Sequence, residues 1–333
     1  MMSPHAYSED QLVEQPAIRL FGDLGWQTVS AMEETFGCAD PSPQPSPDFT
    51  PLGRDPNEGA KQGRRSSGAE PVALGRETKS EVVLAPRLRD ALERLNPTLP
   101  PDAITAAVTE LTRDRSAMSL SGANREIYAL LKNGVLVSVP DRERGGQKSE
   151  RVSVIDWQNP TANDFLLVSQ MTITGPLYAC RPDLIGFVNG LPLVVELKKT
   201  GVPARAAFDE NLTSYKHAQN GAPALFRFNA LLIASNVTES RVGSLTADWE
   251  RWVEWKRIER EDEPRRVSLD VMIRGTCEPS RLLDLLENFK LFSEHNAGLV
   301  KVLGQNHQFL GVNNAIAAAM KAREAGHGRG GVF

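Results

Sequence analysis

The chain has 333 residues, of which 41% are hydrophobic, so it is long enough to bury a substantial core in one or two domains. Its 38 basic and 42 acidic residues give a net charge of −4 at pH 7, which excludes a general electrostatic attraction for nucleic acid and requires any nucleic-acid groove to be local. The three cysteines show no paired spacing, which argues against a disulfide scaffold or a zinc ribbon and favours a reducing compartment. Because no apolar run approaches the length of a membrane span and no signal-peptide pattern is present, we expect a cytoplasmic protein without membrane contact.

A segment of different composition follows the N-terminal 37 residues. Pro, Ser, Gly, Arg and Asp dominate from about Cys38 onward, and the run Pro-Ser-Pro-Gln-Pro-Ser-Pro can sustain neither a helix nor a β-ladder. Residues 38–77 are therefore predicted to be disordered. Because a long surface loop costs little closure entropy, we interpret this segment as an insertion in a loop, with a binding tail as the functional alternative.

Hydrophobic periodicity predicts helices first and strands second over the next part of the chain. The predicted helices are 79–95, 101–115 and 123–132, and the predicted strands are 134–139, 151–155 and 165–174. A helix over 204–219 and a strand over 230–235 follow a central hairpin. This order predicts an α/β fold in which a mixed β-sheet is flanked by helices. A later helix over 279–292 carries a strong apolar stripe, for which core packing is the default interpretation.

The central hairpin lies between Arg181 and Lys199, where two apolar strands meet at an Asn-Gly dipeptide. Asn-Gly between two β-rich runs predicts a two-residue type I′ turn, because both central residues need positive φ. Counting outward from this turn pairs Asp183 directly with Glu196, at a Cα separation of roughly 4.5 Å. Lys198 follows Glu196 by two residues, so its side chain is predicted to lie on the same face of the strand.

Two carboxylates held so close repel each other unless a cation lies between them or one of them stays protonated. Oxygen ligands suit Mg²⁺ or Mn²⁺, and a neighbouring ammonium group can orient a metal-bound water for attack on phosphorus. The pattern therefore indicates metal-dependent hydrolysis of a phosphodiester. The alternative is a structural salt bridge, although both strands are so apolar that uncompensated charges on them would be costly.

The hairpin sequence RPDLIGFVNGLPLVVELKK resembles the PD-(D/E)xK nuclease motif, and it is similar to the corresponding segment in restriction (R) subunits of type I restriction-modification enzymes. The resemblance extends over most of the chain, from 8–26 to residues 252–256 and beyond, and it implies that residues 1–37 form an N-terminal helix of the nuclease domain. It implies a PD-(D/E)xK restriction-endonuclease-like core over residues 78–265.

The resemblance also implies roles for the residues of the hairpin. Asp183 and Glu196 would bind Mg²⁺ or Mn²⁺, and the backbone carbonyl of Leu197 would join them as a ligand. Lys198 would assist the attacking water.

Two further positions are implied by related nucleases. A downstream helix in these enzymes carries a Gln-x-x-x-Tyr pair, which Asn211 and Tyr215 match here. Asparagine in place of glutamine is a departure, because it shortens the reach of the amide by one methylene. Many relatives also place an acid on a helix before the first strand. Glu126 is the nearest candidate, with an exposed helix charge as the alternative.

Residues 266–333 resemble the linker and the start of a RecA-like motor. Gln308 matches a glutamine that contacts adenine in complete motors, so it would bind nucleotide only in a longer protein. The chain contains no Gly-x-x-x-x-Gly-Lys-Ser/Thr sequence, and ATP is therefore expected as a cofactor of a full-length protein only.

The expected partners are double-stranded DNA and the methyltransferase and specificity subunits of a type I complex. Two alternatives stay open from sequence. One is a stand-alone repair nuclease with the same core, against which the motor-like segment 301–333 argues. The other is a catalytically silent fragment that acts only in assembly.

Overall fold

The computed structural model describes residues 14–37, 72–140, 145–199, 201–236, 238–260, 262–296 and 298–326. In this part of the chain the β-strands are β1 (Gln27–Ser30), β2 (Glu34–Thr35), β3 (Val72–Ala73), β4 (Val135–Pro140), β5 (Gln147–Val152), β6 (Phe165–Ser169), β7 (Ile173–Thr174), β8 (Ala179–Cys180), β9 (Leu184–Val188), β10 (Leu191–Lys198), β11 (Leu231–Ser235), β12 (Ser240–Gly243), β13 (Lys290–His295) and β14 (Gly298–Leu303). The α-helices are α1 (Gln15–Asp23), α2 (Ala85–Leu95), α3 (Pro101–Thr112), α4 (Leu120–Asn133), α5 (Thr213–Lys216), α6 (Pro223–Phe228), α7 (Ser268–Thr276), α8 (Pro279–Asn288) and α9 (Asn306–Glu324), and α5 continues from a π-helical turn at Ala207–Leu212.

The centre of the fold is a six-stranded sheet with the strand order β1-β6-β9-β10-β11-β12. The pairs β1–β6 and β10–β11 are parallel and the other pairs are antiparallel, which confirms the predicted mixed sheet with flanking helices. Every residue of β6, β9, β10 and β11 is buried, as expected for strands that are covered on both faces. The predicted strand 134–139 forms β4, which pairs with β5 in a separate hairpin, and β5 covers Gln147–Val152 instead of the predicted 151–155. No helix in the described part of the chain is long and apolar enough to cross a membrane.

The turn between β9 and β10 has the predicted type I′ geometry, with φ of 50° at Asn189 and 76° at Gly190. The buried Asn189 amide donates to the carbonyl of Val154 at 2.9 Å and accepts from the N–H of Asp164 at 2.7 Å. The carbonyl of Gly190 accepts from the N–H of Leu84, which leads into α2. These contacts fix the tip of the hairpin in the core.

The predicted pairing of Asp183 with Glu196 is wrong by one residue. A β-bulge between Pro192 and Val194 leaves Leu193 without a partner on β9, so Glu196 pairs with Leu184. On the other side of β10, the Leu193 carbonyl accepts from the N–H of Ala230 at 2.7 Å. Counting from the turn could not reveal this bulge, because it depends on packing against other elements.

The α1 helix and the end of α7 cover one face of the sheet. The Trp26 ring packs against Gly186 and edge-on against Phe21 of α1, and its indole N–H donates to the carbonyl of Cys277 at 2.9 Å. Gly186 faces Val194 across the strands, and residues 196 and 198 follow Val194 at steps of two. The acid and the lysine of β10 therefore lie on the face that α1 and α7 cover.

Two predicted boundaries change in the structure. Residues 38–71 of the predicted insertion lie outside the described residues, but 72–77 are folded: β3 pairs with β2, and Arg76 is buried against Glu34. Residues assigned from sequence to a linker form α7 and α8, and α7 packs against α1 and β12. The apolar stripe of the predicted helix 279–292 is buried as expected, although the helix ends at Asn288 and β13 follows.

Candidate active site

The Glu196 carboxylate is buried and accepts no hydrogen bond from the part of the chain that the structure describes. Its side chain is 1% exposed, and neither carboxylate oxygen has a hydrogen-bond partner among the described residues. Burial raises the pKa of Glu196, the ammonium of Lys198 opposes this rise, and the charges of Asp183 and Glu14 add to it. Buried carboxylates are normally hydrogen-bonded or bound to a cation. Glu196 is therefore a group whose environment is incomplete without a further cation.

Lys198 forms an ion pair with this carboxylate. Its Nζ atom lies 3.9 Å from Glu196 Oε1, and its side chain is also 1% exposed. This distance allows electrostatic attraction but exceeds the range of a hydrogen bond. The structural salt bridge considered from sequence is thus present only as a long ion pair, which leaves the Glu196 oxygens unsatisfied.

Asp183 stands immediately before β9 and is fixed through backbone contacts. Its Oδ2 atom accepts a hydrogen bond of 2.8 Å from the N–H of Lys198, and its carbonyl accepts one of 3.2 Å from the N–H of Gln170. The structure therefore brings Asp183, Glu196 and Lys198 together, although through the bulge and not through direct pairing. Leu197 lies between the last two residues, and its side chain is in the core.

Glu14 is a site residue that sequence reasoning missed. It precedes α1, is 5% exposed, and its Oε2 atom accepts a hydrogen bond of 2.6 Å from Gln170 Nε2. It lines a cleft of about 630 Å³ together with Gln170, Arg181 and Asp183. An acid at the start of a helix was the available signal, but the sequence offered no means of knowing which helix covers the hairpin.

Glu126 was the sequence candidate for the acid on a helix before the first strand, but it belongs to a different cluster. Its Oε1 atom accepts hydrogen bonds from Arg113 at 2.6 Å and from Arg115 at 2.8 Å. Burial raises the pKa of Glu126, but the two guanidinium groups outweigh it and hold this pKa below its usual value. The Glu126 carboxylate is therefore satisfied by structural ion pairs with two arginines.

The Tyr215 side chain lies beside the chain that leads to Asp183. Its hydroxyl donates to the carbonyl of Arg181 at 3.4 Å, and burial, with the nearby Cys180 and Asp183, raises its pKa to about 12, so the hydroxyl stays protonated at neutral pH. Asn211 lies one turn earlier in the π-helical segment and is half-buried.

The donor set fits a hard divalent cation. Within the described ranges, no three His, Cys, Asp or Glu side chains converge as a preformed metal cage. Mg²⁺ and Mn²⁺ need no such cage, since they are commonly held by one or two carboxylates and keep several waters. The unsatisfied oxygens of Glu196, close to Asp183, are suitable ligands of this kind.

Gln308 lies far along the chain from this centre and has a structural contact. It stands in the first turn of α9, where its Oε1 atom accepts from the N–H of Gln305 at 2.9 Å and completes a capping box. Its predicted contact with nucleotide stays a prediction.

Comparison with known proteins identifies a family that contains this chain. The family described as "Type I restriction enzyme R protein N terminus" matches residues 47–251, a range that contains Asp183, Glu196 and Lys198 but not Glu14. The HindI endonuclease subunit of Haemophilus influenzae, a type I restriction enzyme, is 35% identical over 264 residues, which are 76% of this chain and 24% of that protein. The putative MjaIXP endonuclease subunit of Methanocaldococcus jannaschii is 27% identical over 286 residues, 78% of this chain and 26% of that protein.

This chain thus spans about a quarter of the length of the curated relatives that it matches. The family match covers well over half of the chain and includes the whole β9–β10 hairpin. The chain belongs to the family of type I restriction enzyme R protein N termini.

Proposed function

We propose that this chain is the nuclease portion of a type I restriction R subunit, with a PD-(D/E)xK core that hydrolyses phosphodiester bonds of double-stranded DNA. The observation that carries this proposal is the buried Glu196 carboxylate, which has no hydrogen-bond partner among the described residues and lies beside Asp183 and Lys198. The names of the relatives, which call them endonuclease subunits, support the same activity.

Asp183 and Glu196 would hold Mg²⁺ or Mn²⁺, with the carbonyl of Leu197 as a further oxygen ligand. The bound ion would supply Lewis acidity toward the scissile phosphate and would lower the pKa of a water ligand. Lys198 is held on the same face of β10 as Glu196, where its ammonium can orient the attacking water and stabilise charge on phosphate oxygens.

Three features of the protein support these roles. The N–H of Lys198 fixes the Asp183 carboxylate, so this acid cannot turn away from the site. Tyr215 and Asn211 lie on the segment that borders Asp183, where a protonated hydroxyl and an amide can donate to DNA phosphates. Burying the Glu196 carboxylate without hydrogen bonds from the described residues would destabilise the fold if this acid were purely structural. The same arrangement leaves its oxygens available to bind a metal ion.

The activity of a whole R subunit would need more than this chain. We propose that ATP is used only by a longer protein, and that the methyltransferase and specificity subunits of a type I complex supply modification and sequence recognition. A net charge of −4 agrees with this division, because the chain has no general attraction for DNA.

Relaxation of supercoiled plasmid tests the proposal, since a single nick is detectable even when DNA binding is weak. We expect nicking with Mg²⁺ or Mn²⁺ that is lost in Asp183→Asn and Glu196→Gln. Glu126→Gln is the matched control, because this acid is satisfied by two arginines elsewhere and its variant should keep nicking.

Binding of Mn²⁺, followed by electron paramagnetic resonance, provides a second measurement that does not need catalysis. The wild type should bind Mn²⁺ and Glu196→Gln should bind it much more weakly. Nicking that survives in Glu196→Gln, or a wild type that neither nicks DNA nor binds Mn²⁺, would overturn the proposal.

A further inference from the structure

A short hairpin stands outside the central sheet, beside the candidate site. The strand that the sequence predicts over 165–174 ends at Ser169, and the next residue, Gln170, has a left-handed backbone with a φ of +57°. β7 and β8 then pair as a two-stranded sheet of their own, and Asp183 follows the end of β8 by three residues. Because an extended strand rises at most about 3.4 Å per residue, Tyr178 lies within about 17 Å of Asp183.

The tip of this hairpin, residues 176–179, exposes two large apolar side chains. Leu177 is 65% exposed and Tyr178 is 63% exposed, and the residues on either side of them are exposed as well. Single exposed apolar residues are common on soluble proteins and need no explanation. Here two of them are adjacent, next to a proline that restricts the backbone, and close to a candidate catalytic acid. This arrangement indicates a contact surface.

The base of the tip is fixed on two sides. The N–H of Thr174 donates to the carbonyl of Lys79 at 2.9 Å, and the N–H of Gly175 closes the turn by donating to the carbonyl of Tyr178 at 2.9 Å. Gly175 also lies so close to Gly221 that a Cβ atom at position 175 would be 1.8 Å from the Gly221 carbonyl oxygen. The tip is thus presented on a rigid support, which lowers the entropic cost of binding a partner.

The same support leads to the candidate site. Gly221 lies in the connection between α5 and α6, where the N–H of Ala222 donates to the carbonyl of Tyr215 at 2.9 Å. The Tyr215 hydroxyl donates to the carbonyl of Arg181, two residues before Asp183. The tip, α5 and the chain that enters the site are therefore held together.

The charge of this region suits a phosphate backbone. Neither 165–182 nor 211–238 contains an aspartate or a glutamate, although the whole chain has a net charge of −4. The exposed polar residues of the two segments include Arg181 and the uncharged hydrogen-bond donors Thr213, Ser214, Gln219 and Asn220. Side chains of these types donate to DNA phosphates. On the other edge of the hairpin, the segment 77–81 carries two acids, so the side that borders α5 is the one that suits DNA.

We propose that Leu177 and Tyr178 form an apolar wedge that enters the minor groove of double-stranded DNA and positions the duplex on the candidate active site. Proteins that bind the minor groove insert apolar side chains of this kind between base steps. The minor groove, about 6 Å wide, suits a short tip, whereas the major groove, about 12 Å wide, admits a whole two-stranded ribbon. Because β7 and Gly175 are held by neighbouring segments, only the tip is available to enter a groove. This inference rests on the proposed function, because it positions the DNA that the same site would cut.

Binding of a short fluorescent duplex, followed by anisotropy, tests the wedge. Ca²⁺ serves as the cation, because it takes the same oxygen ligands as Mg²⁺. We expect Leu177→Ser/Tyr178→Ser to bind the duplex about 5- to 150-fold more weakly than wild type, which is the range for the loss of an aromatic contact with a base. Since both residues are exposed, the melting temperature should not change.

Two further variants make this measurement specific. Leu136→Ser is the matched control, because Leu136 is 62% exposed on β4 and its variant should bind the duplex as wild type does. Tyr178→Phe keeps the aromatic ring and should also bind as wild type does. Unchanged duplex affinity in the folded double variant would overturn the proposal, and so would an equal loss in Leu136→Ser.

The salt dependence of the affinity separates a groove contact from a phosphate contact. Apolar side chains release no counterions, so the double variant should keep the wild-type slope of log affinity against log salt concentration. A slope reduced by about 0.9 or more would mean that the tip acts by holding a base on a phosphate, and this result would overturn the wedge.

Plasmid nicking and Mn²⁺ titration separate this inference from the proposed function. We expect the double variant to bind Mn²⁺ as wild type does and to nick plasmid more slowly when DNA is subsaturating. If wild type nicks plasmid and the double variant matches it in nicking and in duplex affinity, the wedge is overturned and the proposed function stands. If wild type neither nicks plasmid nor binds Mn²⁺, both proposals are overturned.

Discussion

The backbone N–H of Lys198 donates a 2.8 Å hydrogen bond to the Oδ2 atom of Asp183. The residue that carries the candidate catalytic ammonium thus also fixes the first acid of the site, through an atom that no side-chain substitution removes. The bulge at Leu193 creates this relationship, because it moves Glu196 opposite Leu184. Substitutions of the Lys198 side chain can therefore test its chemistry without releasing Asp183.

Removal of the Lys198 ammonium should abolish cleavage and leave the metal site in place. In Lys198→Met, the hydrogen bond from the backbone N–H to Asp183 persists and the side-chain volume is nearly conserved. We expect nicking to fall about 10²- to 10⁴-fold, as for the loss of a group that assists proton transfer, with Mn²⁺ binding retained. Plasmid relaxation and Mn²⁺ titration on the same preparation check this. A variant that fails to fold would favour the salt-bridge interpretation of Lys198.

Neutralisation of Glu196 should make the stability of the protein insensitive to metal. The isosteric Glu196→Gln replaces the buried carboxylate that is the candidate metal ligand. Wild type should gain about 2.7 kcal/mol when Mn²⁺ is present at 100 times its dissociation constant, and the variant should not. Thermal unfolding of each protein with and without Mn²⁺ measures this gain, and equal gains would place the metal elsewhere.

Gly186 allows the Trp26 ring to lie against the sheet beside the site. A Cβ atom at this position would lie 3.0 Å from the Trp26 ring and 3.1 Å from the Cβ of Val194. We expect Gly186→Ala to lower the free energy of unfolding by about 1–3 kcal/mol through overpacking. Gly22→Ala is the control, because a Cβ there meets nothing within 4 Å in the last turn of α1. This control should be neutral or stabilising in urea titrations.

The sequence predicted those parts of the site that depend on local chemistry. The Asn-Gly turn has its predicted geometry because positive φ at both positions is an intrinsic preference of these two residues. The burial of β9 and β10 followed from their continuous apolar sequence. Asp183, Glu196 and Lys198 were therefore found together despite the error in register.

The remaining parts depend on contacts between distant segments. The bulge at Leu193 accompanies the packing of Trp26 on Gly186 and the bond from Ala230, neither of which is visible within the hairpin sequence. The break of the predicted strand at Gln170 has no local signal either, because glutamine favours neither turns nor left-handed backbone. Glu14 could not be distinguished from Glu126 until the structure showed which helix covers the sheet.

The buried ion pair of Arg76 with Glu34 joins the described residues on either side of positions 38–71. Their side chains are 0% and 3% exposed, and Arg76 also donates to the carbonyls of Glu81 and Thr172. We expect Arg76→Met to cost about 3–5 kcal/mol, because Glu34 is then left buried without its partner. Arg260→Met is the control: its pair with Asp262 is exposed, and its effect in urea titrations should stay within about 0.5 kcal/mol. Similar small effects of both would mean that water reaches Glu34.

Two buried lysines lie on the hairpin that follows α8. Lys301 donates from Nζ to the carbonyl of Asn229 at 2.6 Å, and burial lowers its pKa to about 7. Lys290 lies over the Tyr128 ring at 4.0 Å, and burial, with repulsion from Lys301 and Lys132, lowers its pKa well below the ordinary value. Both groups therefore lose their protons at a lower pH in the folded protein than in the unfolded chain.

The stability of the protein should consequently rise with pH above neutrality. Between the folded pKa of Lys301, about 7, and its ordinary value of 10.5, the unfolded chain binds more protons than the folded one, so the free energy of unfolding increases with pH, by at most about 1.4 kcal/mol per unit for one group. Lys301→Met removes this contribution. The free energy of unfolding of wild type, relative to that of Lys301→Met, should therefore increase as pH rises from 7 to 10. Urea titrations across this range measure the shift, with the exposed Lys321→Met as a control that should run parallel to wild type. Parallel profiles for wild type and Lys301→Met would show that the Lys301 ammonium reaches water in the folded state.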